Sequence, residues 1–67
     1  MSVAKIMEIT SESSKGFEDA TRLGIERASK TVEHIKSAWI KEQTAIVEDG
    51  KISRYRVDLK VAFVLRD

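Results

Sequence analysis

Residues 52–65 read ISRYRVDLKVAFVL, and this stretch decides the fold. Tyr55, Val57, Leu59, Val61, Phe63 and Leu65 occupy alternate positions, with Arg54, Arg56, Asp58, Lys60, Ala62 and Val64 between them. A period of two is that of a β-strand, whose successive side chains point to opposite faces. One face of this strand is wholly apolar and must be covered; the other is mostly charged. Immediately upstream stands Glu48-Asp49-Gly50-Lys51, in which Asp-Gly is a strong signal for a tight hairpin turn. Read back across that turn, 35–47 is the partner strand. Simple alternation places Ala38, Ile40, Thr44 and Ile46 on one of its faces and Ser37, Trp39, Lys41, Gln43, Ala45 and Val47 on the other.

The cover for the apolar face lies further upstream. Thr10-Ser11-Glu12-Ser13-Ser14 is rich in capping residues, and Ser13 is the predicted N-cap of a helix that runs to about His34. Phe17, Ala20, Thr21, Gly24, Ile25, Ala28 and Val32 recur at spacings of three and four and make one stripe. Glu18–Arg22, Arg22–Glu26 and Glu26–Lys30 stand at i,i+4 on the opposite, solvated face. Gly24 inside the stripe costs about 1 kcal/mol relative to Ala, and close approach of helix to sheet is the natural reason for it. Before the helix, 3–10 alternates well enough to be a strand, with Val3, Lys5, Met7 and Ile9 on one face. The order is therefore β-α-β-β, an α+β subunit. The helical crossover leaves the first two strands parallel in direction, so a three-stranded sheet with the last strand in the middle makes every pairing antiparallel.

Lengths then conflict. A strand of about 13 residues spans roughly 43 Å, whereas a helix of about 21 residues spans roughly 32 Å. One helix cannot cover such a hairpin, and the uncovered apolar positions invite association. Size argues the same way: 67 residues make a single domain, 1–67, with a small core. The chain has no Cys, which removes disulfides and thiolate metal sites, and its one His cannot build a multi-His zinc cluster. A closed symmetric assembly in which neighbours cover the excess is the expected resolution.

Twelve basic against eleven acidic residues give a near-neutral chain, which argues against a nucleic-acid module; the segment from Lys51 onward, locally basic, is the one feature in favour of RNA. No apolar run approaches the roughly 18 residues of a membrane span, and no signal sequence opens the chain, so a cytoplasmic protein is expected. Nucleophilic catalysis has little material without Cys and with His34 alone, and Gly16, Gly24 and Gly50 are too scattered for a phosphate loop, so no enzymatic activity is expected. Two features remain. Trp39, the only Trp, is placed on the face away from the helix, either against another subunit or presented to a flat ligand. The stripe Arg54, Arg56, Asp58, Lys60 lies on that same face, where Arg56 could stack on a ring or pair with an anion.

These residues together resemble the dodecin family, over essentially the whole chain. The carriers are Glu8-Ile9-Thr10 closing the first strand, Ser13-x-x-Gly16 opening the helix, and Arg27-Ala28-x-Lys30-Thr31 near its end. Tyr55-x-Val57-x-Leu59-x-Val61-Ala62-Phe63 with Leu65 completes the pattern. The resemblance implies a hollow homododecamer and, in many members, flavins (FMN, riboflavin or FAD) bound in pairs between subunits. Those members stack the flavin on a Trp early in the second strand and hydrogen-bond it through a Gln just after the aromatic that matches Tyr55. Aligned without gaps from Thr31 to Leu65, these two positions read Ser37 and Arg56. Ser37 has no ring, and Arg56 cannot give the paired donor and acceptor of an amide. Trp39, two residues on, is the candidate replacement platform, so Trp39, Arg56 and Ser37 are the ligand-binding candidates. A branch of the family without the flavin residues is associated with calcium, and Ile40-x-Glu42-Gln43 followed by Gly50-Lys51-Ile52 looks more like that branch. The expectation is a non-enzymatic homododecameric shell that binds or stores a small ligand or an ion, calcium or magnesium, with flavin storage as the alternative. No metal ligand can be assigned from the sequence.

Overall fold

The computed structural model describes residues 3–65. Strand β1 (Val3–Ser13) leads into helix α1 (Phe17–Ser29), followed by the long strands β2 (Ile35–Glu48) and β3 (Lys51–Leu65). The sheet order is β1-β3-β2 with both pairings antiparallel, the predicted topology. The Asp-Gly turn is also as predicted: Asp49 and Gly50 both have positive φ (52° and 74°), which a type I′ hairpin requires and which few residue pairs adopt as readily.

β3 is the spine. Val57, Leu59 and Val61 are fully buried, and with Ala20 they form the core, on which Met7, Ile9, Phe17, Ile25, Ile35 and Ala38 pack. The Phe17 ring meets Tyr55 edge to face, with centroids 5.1 Å apart and planes at 80°. Along α1 the buried positions are Ala20, Gly24 and Ala28, a line of small residues at i, i+4, i+8 that lets the helix lie close to the sheet. Gly24 is the tightest point: a Cβ there would stand 3.0 Å from both Leu59 Cδ1 and Ser11 Cβ. The Leu59 tip can rotate; Ser11 Cβ is fixed to β1. Gly24→Ala should therefore lower stability by up to about 2 kcal/mol, because strain of roughly 1–3 kcal/mol is offset by a gain of only about 1 kcal/mol in helix propensity. Urea denaturation compared with the native chain measures it.

Three local expectations are corrected. β1 runs to Ser13 rather than Thr10, because β3 continues to offer partners: Ser11 to Val57, Glu12 to Arg56, Ser13 to Tyr55. Ser13 is accordingly not the N-cap. It is buried at the corner, where its hydroxyl donates to Asp19 Oδ2 at 2.6 Å and accepts the Lys15 N–H at 2.9 Å, while Gly16 occupies the cap position without a side-chain bond. The helix stops at Ser29, five residues short of His34. Its last carbonyls are closed by the N–H groups of Lys30, Thr31 and Val32, and His34 at φ 64° turns the chain so that its carbonyl accepts the Val64 N–H. On the solvated face Arg22 bonds Glu26 at 3.0 Å, as expected, and Asp19 at 2.6 Å in place of Glu18.

The third correction concerns β2. Its register on β3 slips between Ile40 and Glu42. An extra residue in one strand resets which side chains share a face. Ala38 and Ile40 pair with Val61 and Leu59 on the helix side, but beyond the bulge it is Gln43 and Ala45, opposite Val57 and Tyr55, that face the helix. Thr44 and Ile46 move to the outer face, opposite Arg56 and Arg54.

The mismatch of lengths is larger than expected. The 13-residue helix spans roughly 20 Å and the 15-residue β3 roughly 50 Å. The molecule measures 51 × 19 × 13 Å, and Val3, Ile40, Val47, Ile52 and Leu65 are exposed along it.

Candidate functional site: the outer face of the sheet

Cross-strand register arranges the face away from α1 in rows. Ile6, Ala62 and Ser37 form one; Glu8, Lys60 and Trp39 the next; then Thr10, Asp58 and Glu42; then Glu12, Arg56 and Thr44. Successive rows lie roughly 7 Å apart, two residues along a strand. Ser37, Trp39 and Arg56 thus share one face, as the alternation implied. They do not converge within one chain, since Trp39 and Arg56 stand two rows apart, roughly 13 Å along the strands. Trp39 keeps 48% of its surface exposed.

Arg56 is not a free cation. Its guanidinium holds Glu12 Oε2 through Nε and Nη2 at 2.5 Å, and Arg54 Nη1 takes Glu12 Oε1 at 3.0 Å. The Arg56 hydrogen bond, with the charges of both arginines behind it, holds the Glu12 carboxyl below its ordinary value. Lys41, the residue at the β2 bulge, reaches across the central strand to Glu8 Oε2 at 3.4 Å. Glu8 lies on β1 diagonal to Asp58 on β3, and Glu42 stands directly opposite Asp58 on β2. Interaction between the two carboxyl side chains lowers Glu8 and raises Asp58. Asp58 Oδ1 is inaccessible and has no hydrogen-bond partner.

Sequence reasoning reached Trp39, Ser37 and Arg56 but missed Glu12, Glu8 and Glu42 as their neighbours. The signal for Glu12 was present: Glu8 and Thr10 already alternate outward, and continuing β1 by one more pair puts Glu12 on the same face. On the helix side, an apolar groove between α1 and β1 is lined by Met7, Ile9, Leu23, Ala28 and Val32. Among the described residues no group of three or more His, Cys, Asp or Glu side chains in one chain could hold a metal ion, and no helix is long and apolar enough to cross a membrane.

The family model for dodecin matches residues 3–66. The chain belongs to the dodecin family. It is 37% identical over 67 residues to the calcium dodecin of Mycobacterium tuberculosis, covering 98% of this chain and 93% of that relative. A dodecin from Streptomyces davaonensis superposes with a TM-score of 0.93 at 30% identity, over 98% of this chain and 97% of the other. The crystal structure described as a calcium-chelating immunodominant antigen, calcium dodecin, of M. tuberculosis superposes with a TM-score of 0.83 at 31% identity, over 96% and 91%. Dodecins are homo-oligomers, which suits a dodecin subunit whose sheet outruns its own helix.

Proposed function

We propose that this dodecin chain is one subunit of a hollow homododecamer, a non-enzymatic cytoplasmic shell that binds or stores a small ligand or an ion. The observation that carries this reading is the length of sheet left uncovered by α1, together with the exposed Ile40, Val47, Ile52 and Leu65 along it. Light scattering should give about twelve times the 7.6 kDa chain mass, roughly 90 kDa; a monomer at micromolar concentration overturns the reading.

For the ligand, an ion is favoured by the relation to the calcium dodecin of M. tuberculosis. Calcium takes six to eight oxygen ligands, and carboxylates are the chemistry it selects. The described residues of a single chain do not make such a set, so a calcium or magnesium site calls for groups from more than one subunit. Calorimetric titration of the assembled protein with each ion tests this: binding heat that is absent in a charge-matched sodium control supports it, and its absence with both ions rejects it.

Flavin storage is the second reading, and one observation favours it: Trp39 is half-exposed beside Lys60 on the outer face of the sheet. Against it, Ser37 offers no ring and Arg56 is engaged by Glu12. Quenching of FMN, riboflavin or FAD emission at micromolar protein supports this second reading; unchanged emission rejects it.

A further inference from the structure

Two exposed apolar surfaces stand at different places on the chain. One is the hairpin end, where Val47 and Ile52 are cross-strand partners beside the Asp-Gly turn, 59% and 51% exposed. The other is the groove of about 660 Å³ between α1 and β1, with Met7 and Ile9 on its strand side and Leu23 and Val32 on its helix side. The groove is open because the buried residues of α1 that line it, Gly24 and Ala28, bring no bulk to it. We propose that the hairpin end of one copy, Val47 with Ile52, seats in the α1–β1 groove of the next copy. This contact rests on the closed assembly proposed above and names the two surfaces that meet in it.

A chain cannot fill its own groove. Ile52 lies seven residues along β3 from Leu59, the partner of Ile9 in the groove wall, a distance of roughly 23 Å. The paired strands hold that separation. Charge points to a second copy as the occupant. The hairpin turn carries Glu48 and Asp49; the Glu48 carboxylate accepts from the Ser53 hydroxyl at 3.1 Å, and neither acid has an ion-pair partner among the described residues. The lip of the groove carries Arg27, which donates to the Thr31 hydroxyl at 2.9 Å and likewise meets no carboxylate among the described residues. An acidic apolar tip thus matches a basic apolar groove on the same sequence. Burial of Val47 and Ile52 supplies the affinity, and the charges at the rim fix which way the tip enters. The contact is heterologous, different patches meeting on the two copies, and such contacts build closed rings when the rotation between copies closes.

The test exploits a chain without Cys. Leu23→Cys and Val47→Cys are made singly and in one chain, and light scattering before oxidation establishes the mass of each assembly. A disulfide needs Cα atoms within about 7 Å, so the two positions of one chain cannot join. Under mild oxidation the double variant should shift most of its chain into dimers and longer ladders on a non-reducing gel. The two single variants assembled together should give dimers and stop there, and each alone should stay monomeric on the gel. Val32→Cys with Ile52→Cys is a second pair on the same two surfaces and should give the same ladder. Assemblies of native mass in which neither pair cross-links overturn the docking and leave the closed assembly standing. A dimer formed by Val47→Cys alone puts two hairpin ends against each other and also overturns it. A native chain that is monomeric by scattering overturns both.

Discussion

Replacing Leu59 by alanine should unfold the subunit at ambient temperature or lower its melting temperature by well over ten degrees. Leu59 is the largest of the side chains that are fully buried, it lies at the centre of the central strand, and it touches Gly24 on the helix. Removing such a side chain costs about 2–5 kcal/mol, from lost transfer energy and the cavity left behind. A chain of this size has a total stability of roughly 3–10 kcal/mol. The core around Leu59 is only Ala20, Val57 and Val61 with a partly buried rim, so no second layer is available to collapse into the space. Circular dichroism should show loss of the cooperative melting transition, or a melt lowered by well over ten degrees. A melt within a few degrees of the native chain would mean that contacts between subunits, rather than this core, set the stability.

The importance of Leu59 was readable in the sequence because alternation over 55–65 is unbroken, and the structure keeps every one of those positions in register with β1. The helix stripe was legible for the same reason, and Gly24 meets Leu59 and Ser11 as its place in the stripe implied. What failed were the ends of the helix and the faces of β2 beyond its bulge. The bulge between Ile40 and Glu42 has no fixed sequence signature, and it exchanged the faces of Gln43, Thr44, Ala45 and Ile46. The helix start failed because Ser13 satisfies both roles of a capping residue locally: its hydroxyl bonds a backbone N–H and a helix-turn acid, but three residues too early. The helix end was missed because Val32 continues the apolar stripe past Ser29, where the N–H groups of Lys30, Thr31 and Val32 already close the last carbonyls. On the outer face the candidates were individually visible, but their pairing was not. That Glu12 neutralises Arg56, and that Asp58 stands between Thr10 and Glu42, are facts of cross-strand register, which alternation within one strand cannot supply.

Charging the far end of the hairpin should dissolve the proposed assembly. Val47 and Ile52 are cross-strand partners next to the turn, 59% and 51% exposed, at the end of the sheet that α1 does not cover. An apolar pair held on a stiff hairpin beyond its own core gains nothing in a monomer. The proposed closed oligomer would bury the same pair once per subunit. Burial of each side chain contributes about 1.5–3 kcal/mol, so the pair supplies several kcal/mol per subunit, repeated around the shell. The double substitution Val47→Lys, Ile52→Lys removes that term and adds two ammonium groups that must be desolvated at every contact, a penalty of several kcal/mol each if unpaired. The turn itself is untouched, because Asp49 and Gly50 keep the positive φ values that close it. Light scattering should therefore show the mass falling from roughly 90 kDa toward that of one or a few chains. The signature that separates lost assembly from lost folding is concentration dependence: a dissociated but competent subunit re-forms larger species as protein and salt are raised, whereas an unfolded one does not. An unchanged mass would place the hairpin end outside every subunit contact, and the uncovered length of β2 and β3 would then need another explanation than closure by neighbouring copies.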